Sequence, residues 1–180
     1  MKFFEQRYLM APVLVFAGLA CGRIQAQGVP EADIAAGYSV IEVVKGYTLM
    51  ANGGSSAVAW NVNQWLGVVG DFGVYHASPS DLTAGTYTVG PRFTYRWRER
   101  FHPFAQVLLG GAHASTPASG FTATTNAFAI GAGGGADFGL DSGGRFALRP
   151  QVEYVGFRAN GNTTGTVRIS IGIVFRFGNK

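Results

Sequence analysis

The stretch "TVRISIGIVFRFGNK", residues 166–180, decides the fold. Val167, Ile169, Ile171, Ile173, Phe175 and Phe177 form one alternating set, and Arg168, Ser170, Gly172, Val174 and Arg176 form the other. A period of two places successive side chains on opposite faces of a sheet. In a soluble protein the apolar face would meet a core and the arginines water. In a membrane barrel the apolar face meets lipid and the arginines line the lumen. One strand does not separate these cases, but the rest of the chain does.

Seven further alternating segments precede it. They are residues 33–44, "SAVAWNVN" at 56–63, residues 66–75, 86–96 and 101–113, "NAFAIGAGGGADFGL" at 126–140, and a segment from Phe146 to Tyr154. The polar faces of a soluble barrel should be dense with lysine and carboxylates. Here they carry glycine, alanine, serine, threonine and isolated charges, which suit the filled interior of a narrow eight-stranded barrel. The apolar faces bring Tyr87, Phe93, Tyr95, Phe138, Phe146, Tyr154, Phe175 and Phe177 toward strand ends, as an interfacial aromatic girdle requires. The expected fold is all-β: an eight-stranded antiparallel up-and-down transmembrane β-barrel.

Loop lengths point the same way. Connections after the second, fourth and sixth segments are short, whereas "KGYTLMANGGSS" at 45–56 and "STPASGFTATT" at 115–125 read as long loops. Short turns on one side and long loops on the other is the outer-membrane pattern. Pro91, Pro103 and Pro150 fall inside proposed strands, where a missing ladder donor calls for a bulge or a strand end.

Residues 1–26 read as a cleaved secretory signal, with Lys2 and Arg7 ahead of an apolar run from Leu9 to Ala20 that is too short to span a bilayer. Cleavage is expected after Ala26, with lipidation at Cys21 as the competing reading. Residues 27–180 then form one barrel domain. Without the signal the net charge of +4 falls to +2 and no cysteine remains, so neither a disulfide nor nucleic-acid binding is expected.

On these residues the chain resembles the small outer-membrane β-barrel family, which includes OmpA-like transmembrane domains of Gram-negative bacteria and porin-like relatives. Ser170-x-Gly172-x-x-Phe175-x-Phe177 is similar to the C-terminal signal read by the barrel assembly machinery, although Gly178, Asn179 and Lys180 follow it. The segments "GPRFTYRW", "HPFAQVLLGGA" and "GAGGGADFGLDSGGRFALRPQVEY" also look like family strands. The resemblance implies a monomer in the cell outer membrane, with membrane lipids and the assembly machinery as partners. No peptidoglycan-binding domain is expected after the last strand.

The candidate site is the lumen. Asp71, Arg92, Asp137, Arg149, Glu153, Arg168 and Arg176 are expected to point inward, with Asp137 facing Arg149 and Glu153 diagonal to Arg168. Buried charges need partners, so a plug of ion pairs is favoured over a narrow pore for small solutes. His113-Ala114-Ser115 resembles the His-x-Ser of lipid A deacylase barrels, but residues 116–136 contain no Asp or Glu to orient the histidine. A lipid-modifying enzyme is therefore a remote alternative, and the chain is read as non-enzymatic. His76 and His102 lie toward opposite ends, away from any shared metal site with His113. Trp60, Trp65 and Trp97 read as interface anchors. "GAGGGADFG" lacks the lysine and following helix of a phosphate loop, so no cofactor is expected.

Overall fold

The computed structural model describes residues 29–45, 47–78, 81–96, 100–118, 121–159 and 161–179. The signal region, Cys21 and Trp97 lie outside them. Eight strands follow in order: β1 (Pro30–Lys45), β2 (Tyr47–Asn61), β3 (Leu66–Ala77), β4 (Leu82–Thr94), β5 (Phe101–Ala118), β6 (Phe121–Gly139), β7 (Phe146–Ala159) and β8 (Asn162–Asn179). Each pairs antiparallel with its chain neighbour, and β8 closes on β1.

The strands are tilted, as closure demands. A row of paired residues leaves β1 at Ala36 and passes through Ser56, Phe72, Tyr87, Gly111, Phe128 and Arg158 to Thr163 on β8. The β1–β8 ladder pairs Thr166 with Val43, so that row returns to β1 near its hairpin rather than at Ala36.

Alternation sorts the faces as the apolar pattern demands. Outward-facing Val74, Tyr87, Val89, Tyr95, Ile130, Tyr154, Ile169 and Ile171 are each 50–63% exposed. Inward neighbours such as Ala59, Val69, Ala147 and Val174 are completely buried.

The loop pattern is corrected. "KGYTLMANGGSS" is the top of one continuous hairpin, with Tyr38 paired to Gly54 and Lys45 to Tyr47. "STPASGFTATT" is likewise mostly strand, since β5 reaches Ala118 and β6 begins at Phe121. Residues of weak strand propensity are held there by a partner strand, which outweighs local preference. The long connections of the sequence reading are therefore the shorter ones, and the connections at the terminal end, residues 62–65, 95–100 and 140–145, are the longer.

The prolines need no bulge. The β4–β5 ladder is interrupted at Pro91, resuming in the same register from Val89↔Leu109 to Arg92↔Gln106. The β6–β7 ladder skips Pro150 in the same way, between Gly135↔Gln151 and Phe138↔Leu148. Pro103 lies beyond the last β4 pair, Thr94↔Phe104, and its carbonyl accepts from the Tyr95 N–H at 2.8 Å.

One closure point requires glycine. Gly37 and Gly172 face each other across the β1–β8 seam. A Cβ on Gly172 would sit 2.9 Å from the Ala36 carbonyl oxygen.

Candidate functional site

The interior is filled from strand positions that alternate with the lipid-type face. Asp71, Arg92, Asp137, Arg149, Glu153, Arg168 and Arg176 are all buried there, and Asp33, Gln106 and Tyr75 join them. Four buried guanidiniums thus meet four buried carboxylates. The small side chains of Ala35, Ala57, Ala59 and Ala147 leave them room.

The charges form two groups. Toward the terminal end, Arg149 clasps Asp137 through Nε to Oδ1 at 2.6 Å and Nη2 to Oδ2 at 2.8 Å. Arg176 donates to the same Asp137 Oδ2 at 2.8 Å and lies 3.2 Å from His102 Nδ1. Asp33 Oδ1 lies between Arg149 Nη2 at 3.2 Å and Arg92 Nη1 at 3.4 Å. The two arginines flank the Phe104 ring, 4.8 and 5.0 Å from its centroid, a favourable cation–π arrangement away from water.

In the second group Arg168 holds Glu153 through Nε at 2.6 Å and through Nη2. Its Nη1 donates to Asp71 Oδ1 at 2.7 Å and to the Tyr75 hydroxyl at 3.0 Å. Glu153 stands directly opposite Arg168 in the β7–β8 register, not diagonal to it. The first group carries three arginines and two aspartates, the second one arginine and two acids, so each is unbalanced alone. Gln106 joins them, accepting from Arg92 Nε at 2.8 Å and donating to Glu153 Oε1 at 2.6 Å.

Side chains border this column at both ends. At the terminal end Arg96 donates to the Gln64 carbonyl at 2.6 Å and to Asn61 Oδ1 at 2.8 Å. At the other end Ile41, Ala51, Tyr75 and Ala77 pack together with Leu82 against them. A cavity of about 30 Å³ is lined by Asp71, Arg149, Gln151 and Ser170 together with Ala35 and Ala57. Arg149 Nη1, buried, has no hydrogen-bond partner among the described residues. The volume is enough to hold water.

Asp33 was missed in the sequence because the first segment has the least regular alternation. Gln106 is visible there only as an interruption of an apolar strand. Its role depends on Arg92 and Glu153 coming within reach from β4 and β7.

The remaining candidates lie elsewhere. His113 and Ser115 point outward, away from the lumen, and His113 Nδ1 is 2.8 Å from Asn126 Oδ1 on β6. His76 is near the distal end, beside Thr83 and Asp81, whereas His102 is at the terminal end by Arg176. Among the described residues no three metal-binding side chains converge. Trp60 and Trp65 are exposed, and Trp65 stacks on Phe93 with centroids 5.9 Å apart. In the last strand Phe175 and Phe177 face outward in edge contact, while Ser170 and Gly172 face inward beside the seam.

No protein-family model matches the chain, and no curated protein matches its sequence. Solved structures do match. Neisserial surface protein A superposes with a TM-score of 0.71 at 12% identity, over 82% of this chain and 97% of that one. Ail, the attachment invasion locus protein of Yersinia pestis, gives 0.56 at 20% identity over 83% and 99%. The N-terminal β-barrel domain of Pseudomonas aeruginosa OprF gives 0.54 at 12% identity over 83% and 100%. The chain has the fold of the small outer-membrane barrels.

Proposed function

We propose that the chain is an integral outer-membrane protein of a Gram-negative cell, with a structural or surface-interaction role and a charge-paired, non-conducting lumen. The carrying observation is the inversion of faces: exposed apolar side chains form the outside of a closed barrel, and ionised side chains fill its inside. Such a surface is stable only against hydrocarbon.

On this reading residues 1–26 direct export and are removed. The assembly machinery recognises Ser170, Gly172, Phe175 and Phe177, and the barrel inserts as a monomer. The fold it shares with Neisserial surface protein A and Ail supports the location. Ail's name, attachment invasion locus, makes contact with outside partners a reasonable role for the distal hairpins. The ion-paired column supports a plug, because an ion crossing the lumen would have to separate buried pairs at a cost of several kcal/mol.

The test is electrophoretic mobility in detergent, boiled and unboiled, followed by planar-bilayer conductance. A heat-modifiable band without conductance is the expected result. Steady single-channel conductance would replace the plug with a narrow pore. Protein that stays soluble without detergent and never shifts would overturn the membrane assignment.

A further inference from the structure

Beside the ion-paired column lies a space that its neighbouring side chains leave open. The cavity of about 30 Å³ borders the β1–β8 seam, where Gly37 and Gly172 face each other and neither brings a side chain inward. Its polar lining comes from three other positions of the wall: Asp71 on β3, Arg149 and Gln151 on β7, and Ser170 on β8.

Two of these residues belong to different charge groups. Arg149 commits Nε and Nη2 to Asp137 and Asp33. Its Nη1 is buried and has no hydrogen-bond partner among the described residues. Asp71 accepts from Arg168 Nη1 through Oδ1, and no described residue donates to its Oδ2. A guanidinium N–H and a carboxylate oxygen withdrawn from bulk solvent call for partners, and native interiors supply them from protein or from ordered water. The other buried side-chain atoms without a partner among the described residues are Arg92 Nη2 and Thr86 Oγ1, and neither residue lines this cavity.

The lining dictates the chemistry of the occupant. It has to accept from Arg149 and donate to Asp71. A halide would accept from Arg149 but meet the Asp71 carboxylate as a like charge, and a metal cation would bind Asp71 but meet the guanidinium. Four buried guanidiniums already stand against four buried carboxylates, so a neutral occupant leaves that balance intact. Water accepts and donates at once, and a space of this size with a few polar partners is what a buried water requires.

We propose that this cavity is the site of a structural water molecule that accepts from Arg149 and donates to Asp71, with Gln151 and Ser170 beside it. The water gives the two charge groups a second link, alongside Gln106. The inference needs only the closed barrel and is independent of where that barrel resides.

The experiment is a crystal structure of the full barrel folded in detergent, at a resolution that shows ordered water, from crystals grown with and without sodium bromide. The expected result is a water within hydrogen-bond distance of both Arg149 Nη1 and an Asp71 oxygen, with no anomalous bromide signal. A cavity without density overturns the proposal, as does a water that touches neither residue. A bromide peak overturns it too, by identifying an anion site. Magnetic relaxation dispersion of the water signal adds a count of long-lived waters in solution. Ala57→Val adds two methyl groups to the lining and should lower that count by one relative to the parent. An unchanged count from the folded variant overturns the proposal, and the parent crystals decide the matter if the variant does not fold.

Discussion

Arg168 on β8 reaches across the lumen to Asp71 on β3, Nη1 to Oδ1 at 2.7 Å, while the rest of its guanidinium holds Glu153 on β7. One side chain thus ties β8 and its hairpin partner β7 to β3, far away in the chain. The same geometry braces the barrel.

Removing this tie should cost stability rather than open a pore. Arg168→Ala leaves two buried carboxylates facing each other, and its expected cost is about 3–5 kcal/mol. Arg168→Met combined with Asp71→Asn and Glu153→Gln removes all the charges and should recover most of that loss. Urea unfolding of the detergent-folded barrel measures both. A single variant as stable as the parent would show that the pairs contribute nothing.

Gln106 should behave as a coupling residue. In Gln106→Leu, Arg92 Nε and Glu153 Oε1 each lose a buried partner, for an expected cost of about 1–3 kcal/mol per group. A double-mutant cycle with Arg168→Ala should be non-additive, because both substitutions strip Glu153. Strict additivity would place the two charge groups out of contact.

Arginine substitution should map the lipid face. Ile171→Arg, at an outward position 52% exposed, is expected to cost about 2–4 kcal/mol if it lies near the bilayer midplane. Thr124→Arg, beyond the band, should change stability by less than about 0.5 kcal/mol. Refolding equilibria into phosphatidylcholine vesicles separate the two, and equal costs would contradict the band.

The β1–β8 seam should tolerate no side chain at Gly172. Gly172→Val forces a Cβ against the Ala36 carbonyl, 2.9 Å away before any movement, with two methyl groups beyond it. The expected outcome is loss of the fast-migrating folded band, while Gly54→Ala, whose added Cβ would meet nothing nearer than 4.0 Å, keeps it.

The turn at Asp141 gives a pH signature. Its carboxylate accepts the Phe146 N–H at 2.7 Å and the Arg145 N–H at 3.2 Å, and these bonds hold it below the usual carboxylate range. A depressed acid stabilises the folded hairpin above its unfolded pKa and loses that contribution as pH falls through the folded value. Amide protection at Arg145 and Phe146 should therefore persist at neutral pH and fade only in strong acid. Asp141→Asn should abolish the dependence.

The sequence by itself determined the strand number, the closed up-and-down order and the side of each strand that faces out of the barrel. These follow from alternation, a local property that each strand carries in its own residues. It also marked seven inward charges, because an isolated arginine or aspartate between apolar neighbours can only belong to the opposite face. Tertiary structure alone decided the partners of those charges. Asp33, Arg92 and Arg149 lie on three strands, and their meeting depends on the stagger with which the sheet closes, which no single strand encodes. It also decided where strands end. Glycine, serine and threonine around residues 45–56 and 115–125 have weak strand preference of their own, and they become strand because a partner is held opposite them. The same closure leaves the first residues of β6 paired on one side only, which is visible only once the ladders on both of its sides are known.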